Sequence, residues 1–513
     1  MPAPHNDVLE KLMSHESPAD LASAPLSQIE QRGIEPVPDS ERNGNPLQLF
    51  WVWFAANISI LGLPLGASLV AFQLLNFWQS LIVATIGAAG AFALVGVVSI
   101  AGRRGGAPSM TLSRATFGAR GNTGPTLVSL LSRLGWETVN TTTAAFVLLS
   151  LFTIALGTDG DAKSVPVLAI VAITIFEACT LLVSGLGHAA ILVIQKWATW
   201  IFGALNIVVV VFLAATIDWD AVADAPAGPF SAIMIGIGVI AAGTGIGWAN
   251  AGADMARYQR TSVKARHLIA SSAAGAGIPL IVLIGLGALL SAGDSNLASA
   301  SDPVAAIRDL LPTWMAVPYL IAAFGGLLLS NHLSVYSAGL TTLTLGIKVK
   351  RVWAVTLDVV VTFIGAIYFM LIADSFYGPF ITFIALLAIP ITAWLGVFLV
   401  DMIKRRYYDP VGLLDLQKGG AYWYRGGVEW RATLSWAVAI VVGFSFTTVR
   451  TSGEDPIFAG WLSDTVIGAN GLAWITTFVV GAGLYLLLGG ARGQVTAPTG
   501  TVDAVPAESG THV

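Results

Sequence analysis

Apolar runs of about 20 residues, long enough for a helix to cross a hydrocarbon layer, recur along this chain. Twelve are visible, near 49–73, 77–101, 124–157, 164–183, 188–215, 230–255, 267–291, 315–346, 353–373, 378–401, 433–450 and 466–489. The third and eighth are longer than a membrane is thick, which predicts tilted or projecting helices. Charge alternates between the runs. Basic clusters follow even-numbered runs: Arg103, Arg104, Arg114 and Arg120, then Arg257, Arg260, Lys264 and Arg266, then Lys348, Lys350 and Arg351, then Lys404, Arg405 and Arg406. Acidic residues fill the other loops: Asp159 and Asp161, Asp218, Asp220 and Asp224, Asp294 and Asp302, Glu454 and Asp455, opposed only by Lys163, Arg308 and Arg450. This asymmetry predicts a multi-pass protein with both termini in the cytoplasm.

The pattern divides the chain into a polar cytoplasmic tail (1–47), a ten-helix core (48–401), a cytoplasmic linker (402–432), two additional helices (433–490) and a second cytoplasmic tail (491–513). Residues 1–47 are polar and Pro-rich, so no cleavable signal peptide is expected. Ten core spans leave room for an inverted repeat of five plus five.

Composition strengthens the membrane reading. Charged residues make up 11% of the 513, against roughly 25% in an average soluble domain. A surface facing water needs more charge than that; a surface facing lipid does not. The net charge of −4 provides no basic excess for nucleic acid. A single cysteine, Cys179, excludes an intramolecular disulfide or a thiolate metal cluster. Six scattered histidines without an HExxH pattern argue against a zinc hydrolase. No metal site and no cofactor are expected.

Two spans carry residues that interrupt helices. The first reads Asn57-Ile-Ser59-Ile-Leu-Gly62-Leu-Pro64-Leu-Gly66, and the sixth crowds Gly236, Gly238, Gly243, Gly245 and Gly247 ahead of Trp248. These are the first spans of the two proposed halves. Paired breaks point to a midplane binding site, because unwound backbone must line a cavity. Small residues also permit close helix packing, and glycine content alone does not separate the two roles. The break model takes Gly62, Gly66, Gly245 and Gly247 as its backbone, with Asn57 and Ser59 beside it.

Polar residues at membrane depth supply the candidate chemistry. Arg133, Trp136, Glu137 and Asn140 fall within about 100° of one helix face. Arg133 and Glu137, four apart, can pair. Trp136 and Asn140, also four apart, combine a stacking surface with a side-chain amide that offers one donor and one acceptor. That suits a planar, uncharged, hydrogen-bonding solute. A packed indole with the amide bonded to a neighbouring helix is the plainer alternative. Trp248 in the sixth span is a second aromatic that can close a sandwich. In the eighth span Ser330, Asn331, Ser334 and Ser337 share a face, while His332 and Tyr336 point elsewhere. His332 can relay a proton or simply bond a backbone carbonyl. Glu177 is a carboxylate in the middle of the fourth span without a local partner, and a proton carrier needs such a group. Asp358 reads as an interfacial partner for Lys350 or Arg351, and Asp254 with Arg257 as a gate or anchor.

Several segments resemble one family. Ile29-Glu30-Gln-Arg32-Gly33-Ile34-Glu35-Pro36-Val37-Pro38 is similar to the entry segment of purine–cytosine permeases, and so is Gly105-Gly-Ala-Pro108-Ser-Met110-Thr-Leu-Ser113-Arg114-Ala-Thr-Phe117-Gly118. Gly135-Trp136 with Asn140, Asp254 to Tyr258, and Tyr336-Ser337-Ala338-Gly339-Leu340 extend the likeness over roughly residues 29–345. The resemblance is to the nucleobase–cation symporter family, purine–cytosine permease branch. It implies an all-α integral membrane protein with twelve transmembrane helices, ten of them in a LeuT-type five-plus-five inverted repeat. It also implies alternating access and a nucleobase stacked between aromatics that map onto Trp136 and Trp248, with the amide mapping onto Asn140. Eighth-helix contacts then fall near Ser330, Asn331 and Ser334.

One departure bears on coupling. Sodium-coupled members carry adjacent hydroxyl residues on the eighth helix, whereas this chain reads Phe324-Gly-Gly-Leu-Leu328-Leu329-Ser330. A proton carried by Glu177, with His332 as a second candidate, is therefore the expected coupling ion, and sodium stays open. The expectation is a plasma-membrane importer of cytosine or a purine, with no obligate protein partner. The alternative solute is a related heterocycle such as allantoin, a hydantoin or a vitamin-like ring. A channel lacks a filter or charge ring here, and an enzyme lacks a catalytic constellation.

Overall fold

The first apolar run forms two helices, α1 (Pro46–Asn57) and α2 (Gly62–Ala71), bent by 63° at the break between them. Asn45 and Gln48 make a capping box at the start of α1. At its end Asn57 turns back and its Nδ2 donates to the Trp53 carbonyl at 2.8 Å. Pro64 lies in the first turn of α2, where its missing N–H costs no helical bond. The computed structural model describes residues 33–184, 188–294, 297, 303–347, 351–373, 376–449 and 456–490. Outside those ranges lie the segments 1–32 and 491–513, which hold the start of the permease-like entry segment, and also Asp302, Lys348, Lys350, Arg450, Glu454 and Asp455.

The further helices are α3 (Phe77–Gly105), α4 (Ser109–Phe117), α5 (Thr123–Leu156), α6 (Pro166–Ser184), α7 (His188–Ala214), α8 (Phe230–Ala249), α9 (Ala265–Gly293), α10 (Thr313–Thr344), α11 (Arg351–Ile367), α12 (Tyr377–Lys404), α13 (Trp430–Phe446) and α14 (Ala473–Leu487). Among the described residues, eight helices are long and apolar enough to cross a membrane, or nine with the bent pair. Helices α13 and α14 have 17 and 15 residues, short of the roughly 20 that a crossing takes. This is a multi-pass membrane protein. Within α8 a π-turn spans Ala242–Ile246, and Thr244 leaves helical geometry at φ −132°, ψ −105°. The sixth run is therefore interrupted where its glycines crowd.

Contacts between spans obey a symmetry. Let α1–α2 be the first span, followed by α3, α5, α6, α7, α8, α9, α10, α11 and α12. Shifting both partners by five then maps each of these contacts onto another: first–seventh onto sixth–second, third–ninth onto eighth–fourth, fifth–eighth onto tenth–third, and fifth–first onto tenth–sixth. Two five-span halves related by a pseudo-two-fold axis generate this pattern. The peripheral spans also correspond. In α6 and in α11, the fourth and ninth spans, a third of the apolar window is buried. Exposed Leu182, Ile207, Leu357 and Ile364 belong to the outer belt that faces hydrocarbon.

Glycine does most of its work in close packing. A Cβ at Gly66 would collide with the Ile284 carbonyl, and one at Gly287 with the Leu63 carbonyl. This is how α2 and α9 approach backbone to backbone. Gly66 is thus interior to α2 and is not part of the break, which corrects its expected role. A Cβ at Gly245 would sit 2.5 Å from the Ala91 carbonyl carbon, so that residue also serves packing, against α3.

One ionic node ties the last helices to the core. Arg405 holds Asp401 with two bonds, Nε to Oδ2 at 2.7 Å and Nη2 to Oδ1 at 3.1 Å. Thr116 Oγ1 and Tyr485 OH donate to the same carboxylate at 3.0 Å each, and Arg405 also donates to the Ala115 carbonyl. Both charged residues are buried. The node joins α4, α12 and α14.

Candidate substrate site

A cavity opens where the two broken spans face the third and eighth. Its wall includes Asn57, Ser59 and Gly62 from the first break, Trp136 and Asn140 from α5, Trp248 from α8, Ser330 from α10, and Phe380 from α12. Its free volume is about 40 Å³, room for about three waters. A flat ring therefore enters only when these walls part.

The two indoles stand differently in that wall. Trp136 packs edge-on against Phe380, with centroids 5.6 Å apart. Trp248 packs edge-on against Trp53 at 5.4 Å and carries the Arg133 guanidinium over its ring at 4.3 Å. Arg133 takes one face of Trp248, which leaves at most the other for a solute. Asn140 is buried, and its Oδ1 has no hydrogen-bond partner. An amide oxygen in that position is costly unless something donates to it.

Arg133 and Glu137 do not form the expected pair. Arg133 Nη2 instead donates to the Gly247 carbonyl, and neither Glu137 oxygen has a hydrogen-bond partner. The physical reason is the break in α8. It frees a carbonyl and presents an indole face, and together these compete well for a guanidinium. Gly247 thus contributes its carbonyl to Arg133, while a Cβ on it would lie 3.0 Å from Trp136 Nε1.

The remaining candidates lie outside the cavity wall. Asn331 turns to α6, its Nδ2 donating to Thr180 Oγ1 at 3.1 Å. Ser334 lies against Glu137. Glu177 accepts from Thr141 Oγ1 at 2.9 Å and from Thr362 Oγ1 at 2.8 Å. His332 Nδ1 meets the Leu328 carbonyl of its own helix at 3.3 Å, so the ring has the plain backbone partner and no carboxylate. Asp358 is not interfacial. It is buried and within electrostatic reach of Glu137, because α11 turns it inward.

Phe380 is the wall residue that sequence reasoning passed over. Phe376, Phe380 and Phe383 fall on one helix face, a signal that was available. Phe376 and Phe380 stack at 5.8 Å, and Phe380 separates the central cavity from a second one lined by Ile60, Thr143 and Val304, toward the acidic loops. The basic side is sealed by polar bonds. Asp254 accepts from Ser109 N at 2.9 Å and Ser337 Oγ at 2.7 Å, and Arg257 donates to Gly33 O and Tyr336 OH.

A two-fold bundle with one broken span in each half, and a small cavity between the breaks, is the architecture of a carrier that exposes its site to the two sides in turn. The chain belongs to the family of permeases for cytosine/purines, uracil, thiamine and allantoin, whose pattern matches residues 36–481. It is a permease and not an enzyme. A candidate purine-cytosine permease of Bacillus subtilis, YxlA, is 28% identical over 478 residues, covering 90% of this chain and 96% of the relative. The purine-cytosine permease FCY2 of Saccharomyces cerevisiae is 28% identical over 301 residues, 58% of this chain and 52% of the relative. A hydantoin permease of Microbacterium maritypicum is 25% identical over 427 residues, 80% and 83% of the two chains. The nucleobase-cation-symport-1 transporter Mhp1, closed around bromovinylhydantoin, superposes with a TM-score of 0.71 at 18% identity, covering 90% of this chain and 95% of that one. The shared fold is the LeuT-type bundle.

Proposed function

We propose that the protein imports a nucleobase, cytosine or a purine, across the plasma membrane in symport with a proton. The carrying observation is the buried, unpartnered Asn140 Oδ1 in a wall that also holds Trp136 and Trp248. An amide between indoles selects a flat ring with hydrogen-bonding edges and admits no charged solute. The acidic loops then face outside and both termini face the cytoplasm. Phe380 is the outer barrier over the site, and the Asp254–Arg257 cluster is the inner seal.

The first-span break supports protons over sodium. At the position of the missing hydroxyl pair, a Cβ on Gly326 would lie 2.7 Å from the Ile58 carbonyl. Gly326 offers no side-chain oxygen beside that carbonyl. A second solute class, hydantoin-like rings, is favoured by the similarity to the Microbacterium hydantoin permease.

Uptake of radiolabelled cytosine, adenine, hypoxanthine, uracil and a hydantoin into transporter-null cells tests the assignment. At least one nucleobase is expected to accumulate, to collapse with a protonophore, and to ignore replacement of sodium by choline. Accumulation of the hydantoin alone supports the second class. Uptake of none of the five contradicts both.

A further inference from the structure

Behind the cavity wall, between α5, α6 and α11, lie three carboxyl groups that the substrate site does not use. Glu137, Glu177 and Asp358 are each no more than 3% exposed, and Glu137 is within electrostatic reach of the other two. Both oxygens of Glu137, Oε2 of Glu177 and Oδ2 of Asp358 have no hydrogen-bond partner. Ser334, buried on α10, faces Glu137.

The surrounding charges do not balance three carboxylates. Among the described residues, Arg133 on α5 is the cation whose charge acts on Glu137, and it is shared with Asp254. From α10 come Ser334 and, on another side of that helix, His332, which is bonded to its own backbone. Among the described residues, no three acidic, histidine or cysteine side chains converge closely enough to hold a metal ion. Unpaired charge in such a place is costly, and a proton is the ligand that removes it.

We propose that Glu137, Glu177 and Asp358 form one shared proton site, coupled to the substrate cavity through Arg133. The inference rests on the proton-driven reading above and deepens it from Glu177 alone to a three-helix cluster. A proton arriving from outside occupies the cluster while the base binds, and leaves to the cytoplasm after the base. With the proton present, Arg133 stays on the Gly247 carbonyl and the Trp248 ring, and the α8 break keeps its closed shape. Without it, the net negative cluster one turn away draws Arg133 off, and the break loses its brace. Protonation and base binding thus bias the same two-state element.

The test uses purified full-length protein in liposomes, with radiolabelled cytosine or adenine, whichever the wild type accumulates. Glu137→Gln and Asp358→Asn are expected to keep counterflow at equal pH but to lose accumulation driven by a pH gradient at least about tenfold. Both variants accumulating like the wild type overturns the proposal. A second measurement needs no substrate. Infrared difference spectra between about pH 5 and pH 8 are expected to show a protonated-carboxyl band that weakens in each of Glu137→Gln, Glu177→Gln and Asp358→Asn, with the remaining groups titrating at altered pH because coupled sites share their protons. A band unchanged in Glu137→Gln and Asp358→Asn overturns it even where a variant transports poorly. Wild-type uptake that follows sodium and ignores the pH gradient sinks the proton reading itself. A proton-driven wild type with undiminished variants sinks the cluster alone.

Discussion

Asn140→Ala is expected to abolish concentrative uptake while the protein still reaches the membrane, and Trp136→Ala to do the same. The amide oxygen of Asn140 is buried without a partner, so its bond to a donor on the ring is not in competition with water. Losing such a bond costs about 1–3 kcal/mol, and losing a stacking aromatic costs a similar amount, about 1–3 kcal/mol per base. Each change therefore weakens binding by about 5- to 150-fold. The conservative variants order the effects. Trp136→Phe keeps a ring face and is expected to retain part of the affinity, whereas Asn140→Leu keeps volume but not the acceptor and is expected to bind no better than Asn140→Ala. Equilibrium binding of the transported base, measured beside surface expression, checks both. Full uptake in the two alanine variants contradicts the site.

The second large effect is on folding. Asp401→Ala leaves Arg405 buried without its carboxylate and removes the acceptor shared by Thr116 and Tyr485. Breaking one side of a buried pair costs about 3–5 kcal/mol, enough to lower the melting temperature markedly. Replacing both partners, Asp401→Leu with Arg405→Met, removes the uncompensated charge and is expected to recover a large part of that loss. Tyr485→Phe, which deletes one neutral donor, is expected to cost about 1 kcal/mol. Thermal unfolding in lipid nanodiscs reads all three. Equal melting of Asp401→Ala and wild type contradicts the node.

The cavity wall was partly legible in the sequence because helical periodicity fixes faces. Trp136 and Asn140, four residues apart, share a face on any helix that contains them. Glycine density ahead of Trp248 marked the sixth-span break. Residue type was a poorer guide where one residue serves two ends. Gly66 reads as a helix breaker, yet it admits the α9 backbone. Spacing also permits contacts without choosing among them. Arg133 can reach Glu137, but a carbonyl freed on another span wins it. Asp358 lies a few residues from Lys350 along the chain, and only the rotation of α11 decides whether it meets that lysine or turns toward Glu137. Such rotations are set by packing between spans, which no local pattern encodes.

A structure determined with the accumulated base bound tests the central claim most directly. The account predicts density for the ring between Trp136 and Trp248, with a ring donor at hydrogen-bond distance from Asn140 Oδ1 and Phe380 closed over it. A base lodged elsewhere, or one that touches neither indole, contradicts it.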